Sequence, residues 1–251
     1  MTRVLVVNPN TSREMTVTIR TAAESAARAI GVDVTVVSPE QGPASIEGSF
    51  DEVVSAYWTL DCVLRAVDDA GGIVVACYGP HPVIDALREA VDVPVMGIME
   101  ASVVYALPLG ARFAIVTTSP RWQPLLEEGL RGLGLHSRCA SVRSTGLAVL
   151  DLERLPAEEV RARLANEARS AVEHDGAEVI VLGCAGMAGL HDSVAAAAGV
   201  PVIDPVAAGV ALVGALAKHG ARTSKRNRFR PVDPRPGLPV PAGLARTYPR
   251  D

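Results

Sequence analysis

The feature that most restricts how this chain can fold is a pair of similar stretches, each an apolar run followed by a cysteine and then a glycine. Residues 72–79 contain Cys77, and residues 178–186 contain Cys184. Such runs are typical of parallel strands that are buried on both faces. Because open α/β sheets bind ligands at the carboxyl ends of their strands, we expect both thiols at a ligand site.

The two stretches belong to a longer repeat. Cys184 lies 107 positions after Cys77, and Pro201 lies 107 positions after Pro94. The strands predicted to open the two halves are offset by 109 positions. Three landmarks at nearly one offset indicate a duplicated unit. We therefore predict an α/β fold of two pseudo-symmetric lobes, each a roughly four-stranded parallel sheet flanked by helices, with the active site in the cleft between them.

Periodicity predicts the elements of the first half in detail. Strands are expected at 3–7, 32–37, 73–76 and 94–98, and helices at 13–30, 50–70 and 83–90. Residues 41–48 are too rich in turn formers for regular structure, so they are a candidate substrate loop. In the second half, residues 112–119 repeat the opening layout of a strand, small hydroxyl residues and then a helix.

The predicted lobes are residues 1–98, completed by a helix at about 206–220, and residues 99–205. Residues 222–251 differ in composition, with six prolines and eight Lys/Arg against two Asp. This composition predicts an extended or disordered arm, and its charge favours contact with the acidic body or with a neighbouring subunit. The arm lacks the interleaved aromatics expected of a nucleic-acid-binding segment.

Composition narrows the class of protein further. Hydrophobic residues make up 49% and charged residues 21%, and the net charge of −4 gives no reason to expect a nucleic-acid partner. No apolar run approaches the roughly 20 residues of a membrane span. The first strand starts at Arg3, which leaves no room for a signal peptide, so we expect a cytoplasmic protein.

The cysteines are expected to act as thiols if they act at all. None of the four has the paired spacing of a zinc site, so no metal is predicted. Cytoplasmic cysteines stay reduced. We interpret Cys62 and Cys139 as small core hydrophobes, and we expect Cys77 and Cys184 to be functional because the repeat places both at strand ends.

Two thiols on opposite sides of one ligand can carry out a reaction without a cofactor. The ordinary pKa of a thiol is about 8.5, and backbone N–H groups at a helix N-terminus lower it. A thiolate on one face of a carbon acid removes a proton while a thiol on the other face returns one, which inverts the stereocentre. The carbon must be acidic, and the developing enolate oxygen needs hydrogen-bond donors.

Polar residues after the matching first strands of the two halves are further candidates. They are Asn8, Asn10 and Thr11 in the first half and Thr117 and Thr118 in the second. Each is either a ligand contact or a turn or cap residue.

Four other ionisable residues have two possible interpretations. His81 follows Cys77 closely and is a candidate substrate contact or proton partner, and His191 is a weaker one. Glu47 and Glu100 either bind a substrate nitrogen or serve as loop and helix-cap charges. No phosphate-binding glycine loop, metal-ligand cluster or Ser-His-Asp order is visible.

These motifs resemble those of the aspartate/glutamate/hydantoin racemase superfamily, most closely its hydantoin and allantoin racemase branch, from about residue 3 to residue 230. The likeness is carried by Asn8-Pro9-Asn10-Thr11-Ser12, Ser45-Ile46-Glu47-Gly48, Ala76-Cys77-Tyr78-Gly79, Leu182-Gly183-Cys184-Ala185-Gly186-Met187 and Pro201-Val202-Ile203-Asp204. The Cys-Thr-His and Cys-Thr-Glu patterns of glutamate and aspartate racemases are absent after Cys184, which argues against those substrates.

The resemblance implies a cofactor-independent racemase that acts on a small molecule and assembles as a homo-oligomer. Cys77 and Cys184 would be the acid/base pair, one for each face of a planar, amide-containing ring. The resemblance and the polar residues singled out above give one set of residues predicted to bind substrate. They are Asn8, Asn10, Thr11, Ser45, Ile46, Tyr78, Gly79, His81, Thr117, Thr118, Ala185 and Gly186.

One segment departs from the family pattern. Where hydantoin racemases continue the first cysteine motif with Gly-Asp-Pro-Gly, this chain has Gly79-Pro80-His81-Pro82. An acid and a glycine are lost, an imidazole is gained, and proline removes N–H donors from the loop. A different ring or carbon acid is therefore one possible substrate.

Three readings of the function compete. The first is racemisation of a hydantoin-like ring, such as a 5-substituted hydantoin or allantoin. The second is a decarboxylase or a cis–trans isomerase of the same superfamily. Arylmalonate-type decarboxylases need only the cysteine at the position of Cys184, so Cys77 favours racemisation, whereas maleate-isomerase-type enzymes keep both thiols. The third is a non-catalytic homologue that binds a small molecule.

Overall fold

The computed structural model describes residues 2–231, Gly243 and Leu244, and within these the chain forms two four-stranded parallel sheets. The strands of the first sheet are β1 (Arg3–Val7), β2 (Asp33–Val37), β3 (Ala70–Val75) and β4 (Val95–Gly97), in the order β2-β1-β3-β4. The strands of the second are β5 (Phe113–Thr117), β6 (Cys139–Ser144), β7 (Val179–Leu182) and β8 (Val202–Ile203), in the order β6-β5-β7-β8.

The two sheets have the same strand order, so the predicted fold of two similar α/β halves is confirmed. In each half the first strand lies between the second and the third. The strands β1 and β5 are buried along most of their length, which explains their unbroken apolar sequence. The described helices are α1 (Arg13–Ile30), α2 (Ser49–Ala66), α3 (Val83–Ala90), α4 (Ile98–Ala106), α5 (Trp122–Gly132), α6 (Asp151–Arg154), α7 (Ala157–Asp175), α8 (His191–Ala198) and α9 (Pro205–Lys218).

Local sequence signals start and end these helices. The Ser12 hydroxyl accepts a hydrogen bond from the Met15 N–H at the start of α1, and Gly31 ends that helix in the left-handed conformation. Helix α9 starts with a proline preceded by the capping residue Asp204. It packs against α1, α4 and β3. The contact with β3 is close, since a Cβ at Gly209 would lie 2.8 Å from a methyl group of Val74.

Some predicted boundaries were wrong by a few residues. The predicted helix at 50–70 ends at Ala66, and Ala70 is the first residue of β3. Asp69, with a φ of 64°, turns the chain between them. The predicted strand at 94–98 stops at Gly97, because α4 starts at Ile98.

Of the predicted C-terminal arm, residues 222–231, Gly243 and Leu244 lie within the described residues. The Thr223 hydroxyl donates to the carbonyl of Val93 at 2.8 Å. The Lys225 ammonium donates to the carbonyls of Arg88 and Val91, both at 2.6 Å, at the end of α3. Residues 232–242 and 245–251 lie outside the described residues, so the prediction for the arm stays a prediction.

The first half of helix α2 exposes apolar residues and buries polar ones, whereas its second half buries Val63 and Leu64. The exposed face of the first half carries the apolar residues Phe50, Val53, Val54 and Tyr57. The buried face carries the polar residues Glu52, Ser55 and Thr59. A buried polar face needs polar partners, and this face packs on the loops that follow β1 and β3.

None of the helices in the described part of the chain combines the length and hydrophobicity that are needed to cross a membrane.

Candidate active site

Cys77 and Cys184 come from different sheets and line the same cavity. Cys77 follows β3 and Cys184 follows β7, and both side chains are more than nine-tenths buried. The loops that follow β1, β5 and β6 complete the wall, so both halves of the fold contribute. Of the residues predicted to bind substrate, those on the cavity wall are Asn10, Ile46, Tyr78, Thr118 and Ala185.

The cavity is small. Its volume is about 30 Å³, which is room for one or two water molecules. A five-membered ring with its substituent is larger than this space. A ring can therefore enter only if the residues around the cavity move apart, and we call the arrangement described here the closed form.

Burial raises the pKa of both thiols in this closed form. For Cys184 burial is the main cause of a pKa of about 12; a backbone hydrogen bond at Gly186 opposes it, and nearby carboxylates add to it. For Cys77 burial again has the largest effect, followed by the charges of Glu52 and Cys184, and the pKa lies well above its ordinary value. Both thiols are therefore protonated near neutral pH while the cavity is closed.

This result differs from the sequence-based expectation of a pKa lowered at a helix N-terminus. Cys77 precedes a loop that continues to the start of α3 at Val83. Cys184 precedes a three-residue 3₁₀ turn, Ala185–Met187, rather than an α-helix. Burial outweighs the single backbone hydrogen bond that Cys184 gains.

The two asparagines after β1 have different surroundings. Asn8 is fully buried, and its amide donates to Asn10 Oδ1 at 2.8 Å and to Thr16 Oγ1 at 2.9 Å. Asn10 lines the cavity, and its own amide donates only to the weakly accepting sulfur of Met15, at 3.2 Å. Asn10 therefore has donor capacity to offer a ligand, whereas Asn8 holds the loop in place.

The two threonines after β5 show the same division. The Thr117 hydroxyl donates to the carbonyl of Gly183 at 2.9 Å, next to Cys184, and Thr117 does not line the cavity. Thr118 does line it, and its hydroxyl forms no hydrogen bond with the described residues. Asn10 and Thr118 thus offer one free polar group from each half of the fold.

The candidate substrate loop connects the two halves. Ile46 contributes the only side chain of this loop on the cavity wall within the described residues. Glu47 Oε1 accepts hydrogen bonds from the Ser45 hydroxyl at 3.0 Å and from the Val149 N–H at 3.1 Å. Thr11 holds the loop from the other side, since its N–H donates to the carbonyl of Pro43 at 3.0 Å. Ser45 and Thr11 therefore support the wall without forming it.

His81 lies behind the Cys77 loop, outside the thiol cavity. Its Nδ1 accepts from the Val83 N–H at 3.2 Å, so Nε2 carries the proton and donates to Ser55 Oγ at 2.8 Å. Burial lowers the pKa of His81 to about 4, so the ring is neutral. It lines a second groove of about 490 Å³. His81 therefore does not line the thiol cavity, and its predicted contact with a substrate stays a prediction.

The two predicted glycines lie close to neighbouring side chains. A Cβ at Gly79 would lie 3.0 Å from Glu52 Oε1 and 3.1 Å from the ring of Trp122. A Cβ at Gly186 would lie 2.9 Å from Leu152. A side chain at either position would require these neighbouring side chains to shift.

The weaker candidates do not line the cavity. Burial raises the pKa of Cys62 and of Cys139 to about 11, and both are partly buried, as expected of small core hydrophobes. Glu100 pairs with Arg88 at 2.7 Å. His191 lies 3.7 Å from a carboxylate oxygen of Asp204. Within the described part of the chain, no group of three or more His, Cys, Asp or Glu residues could hold a metal ion.

Several residues at the site were missed by the sequence analysis. Pro9, Met15, Trp122 and Val149 line the cavity, and nothing in their local patterns distinguishes them from core residues. Glu52 approaches the Cys77 loop from α2. A carboxylate on a helix is normally expected to face solvent, so no local sequence signal marked Glu52 as buried.

Comparisons with known proteins agree with the fold and the motifs. The model of the Asp/Glu/hydantoin racemase family matches residues 4–213. The hydantoin racemase of Pseudomonas sp. (strain NS671) is 42% identical over 91% of each chain. The structure of allantoin racemase from Pseudomonas fluorescens has a TM-score of 0.87 at 38% identity and covers 94% of this chain and 99% of its own. That of allantoin racemase from Klebsiella pneumoniae has a TM-score of 0.88 at 37% identity and covers 99% and 100%.

These findings confirm the predicted resemblance and the predicted class, an isomerase of the racemase type. The chain belongs to the Asp/Glu/hydantoin racemase family.

Proposed function

We propose that the protein is a cofactor-independent racemase that inverts the acidic stereocentre of a hydantoin-like ring, a 5-substituted hydantoin or allantoin, through Cys77 and Cys184. The observation that carries the proposal is that these two thiols, from separate sheets, line one small cavity. Relatives named for hydantoin and allantoin racemisation support this substrate class.

The proposed reaction moves one proton at each face of the ring carbon. A thiolate takes the proton from the carbon, the electron pair passes to the adjacent carbonyl as an enolate, and the opposite thiol gives its proton to the other face. The first cysteine ends as a thiol and the second as a thiolate, so the roles are exchanged for the reverse direction. Charge and atoms balance without a cofactor.

One thiolate has to form first, and opening of the cavity favours this. Burial is the main cause of the raised pKa of both thiols, so water admitted on opening reduces it. Cys184 has in addition the backbone hydrogen bond at Gly186, which stabilises its anion. We therefore assign the more easily formed thiolate to Cys184.

The enolate oxygen requires donors that are not already used. The Asn10 amide and the Thr118 hydroxyl lie on the cavity wall and meet this condition. Preorganised donors that are aimed at a developing oxyanion typically contribute 10²- to 10³-fold to the rate, as an order of magnitude. Asn10 and Thr118 are the residues proposed for this role.

The test follows single enantiomers of 5-substituted hydantoins and of allantoin in deuterated water. The unaltered protein should racemise its substrate and introduce solvent deuterium at the stereocentre. Cys77→Ser and Cys184→Ser should each lower racemisation by roughly 10²–10⁴-fold, and each should retain at most exchange of the enantiomer whose proton faces the remaining thiol. Cys62→Ser, a cysteine that does not line the cavity, is the matched control and should leave the rate unchanged.

The outcomes separate the competing functions. Full activity in both cavity variants would disprove the two-thiol mechanism. Release of CO₂ from a malonate-type acid would identify a decarboxylase, and isomerisation of maleate would identify a cis–trans isomerase, which also uses two thiols. Binding of a hydantoin without exchange would identify a non-catalytic binding protein.

A further inference from the structure

The side chain of Glu52 is buried and incompletely paired. It is 5% exposed. Its Oε1 has no hydrogen-bond partner among the described residues. A buried polar atom without a partner is unfavourable, and native structures keep few of them. An unpaired carboxyl oxygen therefore requires an explanation.

This oxygen is directed at the loop that follows Cys77. Glu52 Oε1 lies 3.0 Å from the position a Cβ would occupy at Gly79, two residues after the thiol. Burial raises the pKa of Glu52, and the charge of Glu52 in turn raises the pKa of Cys77. An ionised acid opposes the ionisation of another acid that is buried nearby.

The other ionisable groups around this pair do not neutralise it. His81, on the same loop, is neutral and forms its hydrogen bonds to Ser55 and Val83. Arg121, before α5, lies against Gly48, and it forms no ion pair with Glu52.

Two more acids face the same region. Glu47, in the preceding loop, raises the pKa of Cys184 rather than that of Cys77. Asp51, the neighbouring residue of α2, accepts a hydrogen bond from the Glu47 N–H.

We propose that Glu52 is a positioning residue of the Cys77 half-site and that its carboxyl group and the Cys77 thiol share a single negative charge. When the carboxyl is ionised, Cys77 is held as the thiol that donates a proton. When the carboxyl is protonated, Cys77 can exist as the thiolate that accepts one. Before the ring reacts, the pair holds one proton and one negative charge in either form; once Cys77 has given its proton to the ring, the pair takes up one proton from solvent and returns to this state. The inference rests on the proposed function for the role of Cys77.

A purely structural role for Glu52 makes a different prediction. Glu52 lies in the first turn of α2, where the helix dipole favours a negative charge. If this were its whole role, replacing it with glutamine would alter the stability of the helix and leave the titration of Cys77 unchanged. The ionisation of Cys77 is therefore the measurement that distinguishes the two roles.

The experiment titrates Cys77 as the sole thiol of the full chain. In protein carrying Cys62→Ser, Cys139→Ser and Cys184→Ser, the rate of alkylation by iodoacetamide is followed by mass spectrometry across a range of pH. Adding Glu52→Gln, which removes the charge and keeps the shape, should lower the apparent pKa of Cys77 by roughly 1. Asp51→Asn, which removes a charge from the same helical turn, is the matched control and should not change it.

A second variant and an activity assay complete the test. Glu52→Asp keeps the charge and should keep most of the raised pKa of Cys77, so the titration of Cys77 should differ between Glu52→Asp and Glu52→Gln. If the role of Glu52 were purely structural, Cys77 would titrate alike in the two variants. In the chain that keeps all four cysteines, Glu52→Gln should shift the pH dependence of kcat and should change KM less.

The two proposals fail in different ways. An unchanged Cys77 titration in a folded Glu52→Gln protein would overturn the role of Glu52, whether or not the chain racemises hydantoins. A shifted titration in a chain without racemase activity would support the Glu52–Cys77 coupling and refute the proposed function.

Discussion

Asn8 and Asn10 lie two residues apart in the loop after β1, and Thr117 and Thr118 follow β5 in the same way. In each pair one residue is held by hydrogen bonds away from the cavity, and the other lies on the cavity wall. The residue types were predictable from the sequence, because small polar residues at strand ends are candidates for ligand contacts. Their division of roles was not predictable, because it depends on which way each side chain points after the strand ends.

Replacing Asn10 with alanine should impair catalysis, and it should also lower stability somewhat, because Asn10 Oδ1 accepts hydrogen bonds from the Asn8 amide and the Ser12 N–H. We expect kcat to fall by roughly 10²-fold, with a change in melting temperature of only a few degrees. Asn8→Ala is the informative counterpart, since it leaves buried partners unpaired and should cost about 1–3 kcal/mol of stability. Steady-state kinetics and thermal unfolding of both variants check this, and equal loss of kcat in two stably folded proteins would contradict it.

His81 predicts a dependence of stability on pH. Its pKa is about 4 in the folded protein and about 6.5 in an unfolded chain. The unfolded state therefore binds the proton first as the pH falls, and His81 contributes stability above about pH 6.5 that is lost progressively down to about pH 4. The full effect is of the order of 3 kcal/mol. Urea unfolding at several pH values should show a shallower dependence over this range in His81→Asn; an unchanged slope would contradict the assignment.

At the scale of elements, helices α1 and α3 start and end at the predicted residues, whereas strand β3 starts at Ala70 rather than at the predicted residue 73. The carboxyl ends of β3 and β7 follow from apolar runs that stop at cysteines, because a strand that is buried on both faces has an unbroken apolar sequence. The orientation of helix α2 was not predicted. In its first half the structure exposes Phe50 and buries Glu52. Periodicity locates a stripe along the helix but does not show which face the rest of the fold covers.

Helix α9 has a cap that also contacts the second sheet's loops. Asp204 Oδ1 accepts hydrogen bonds from the Val206 and Ala207 N–H groups, and Oδ2 accepts one from the Gly189 N–H at 2.7 Å. Asp204→Ala should therefore cost more than a simple helix cap, about 2 kcal/mol. Chemical denaturation of the variants checks this. Asp204→Asn keeps one side-chain oxygen and should lose only part of the stability that Asp204→Ala loses. A cost below about 0.5 kcal/mol would show that the contact with Gly189 contributes nothing.

At the scale of the molecule, the repeat offset predicted that two similar halves face one site, because duplicated α/β units place corresponding strand ends alike. The bonds that close the site could not be predicted. The Glu47 carboxylate accepts from the Val149 N–H, and the Ser12 hydroxyl donates to Glu153 at 2.8 Å. Each joins residues more than 100 positions apart, and no periodic signal encodes such pairs. The expected homo-oligomer stays a prediction at this scale.

The small size of the thiol cavity has a consequence for chemical damage. Peroxide attacks thiolates that it can reach. In the closed form both thiols are protonated and walled off in a space of about 30 Å³. In the resting protein Cys77 and Cys184 should therefore resist oxidants, and they become vulnerable only during the intervals in which the cavity opens to admit or release a ring. Inactivation by peroxide should then depend on the number of completed turnovers rather than on the time of exposure.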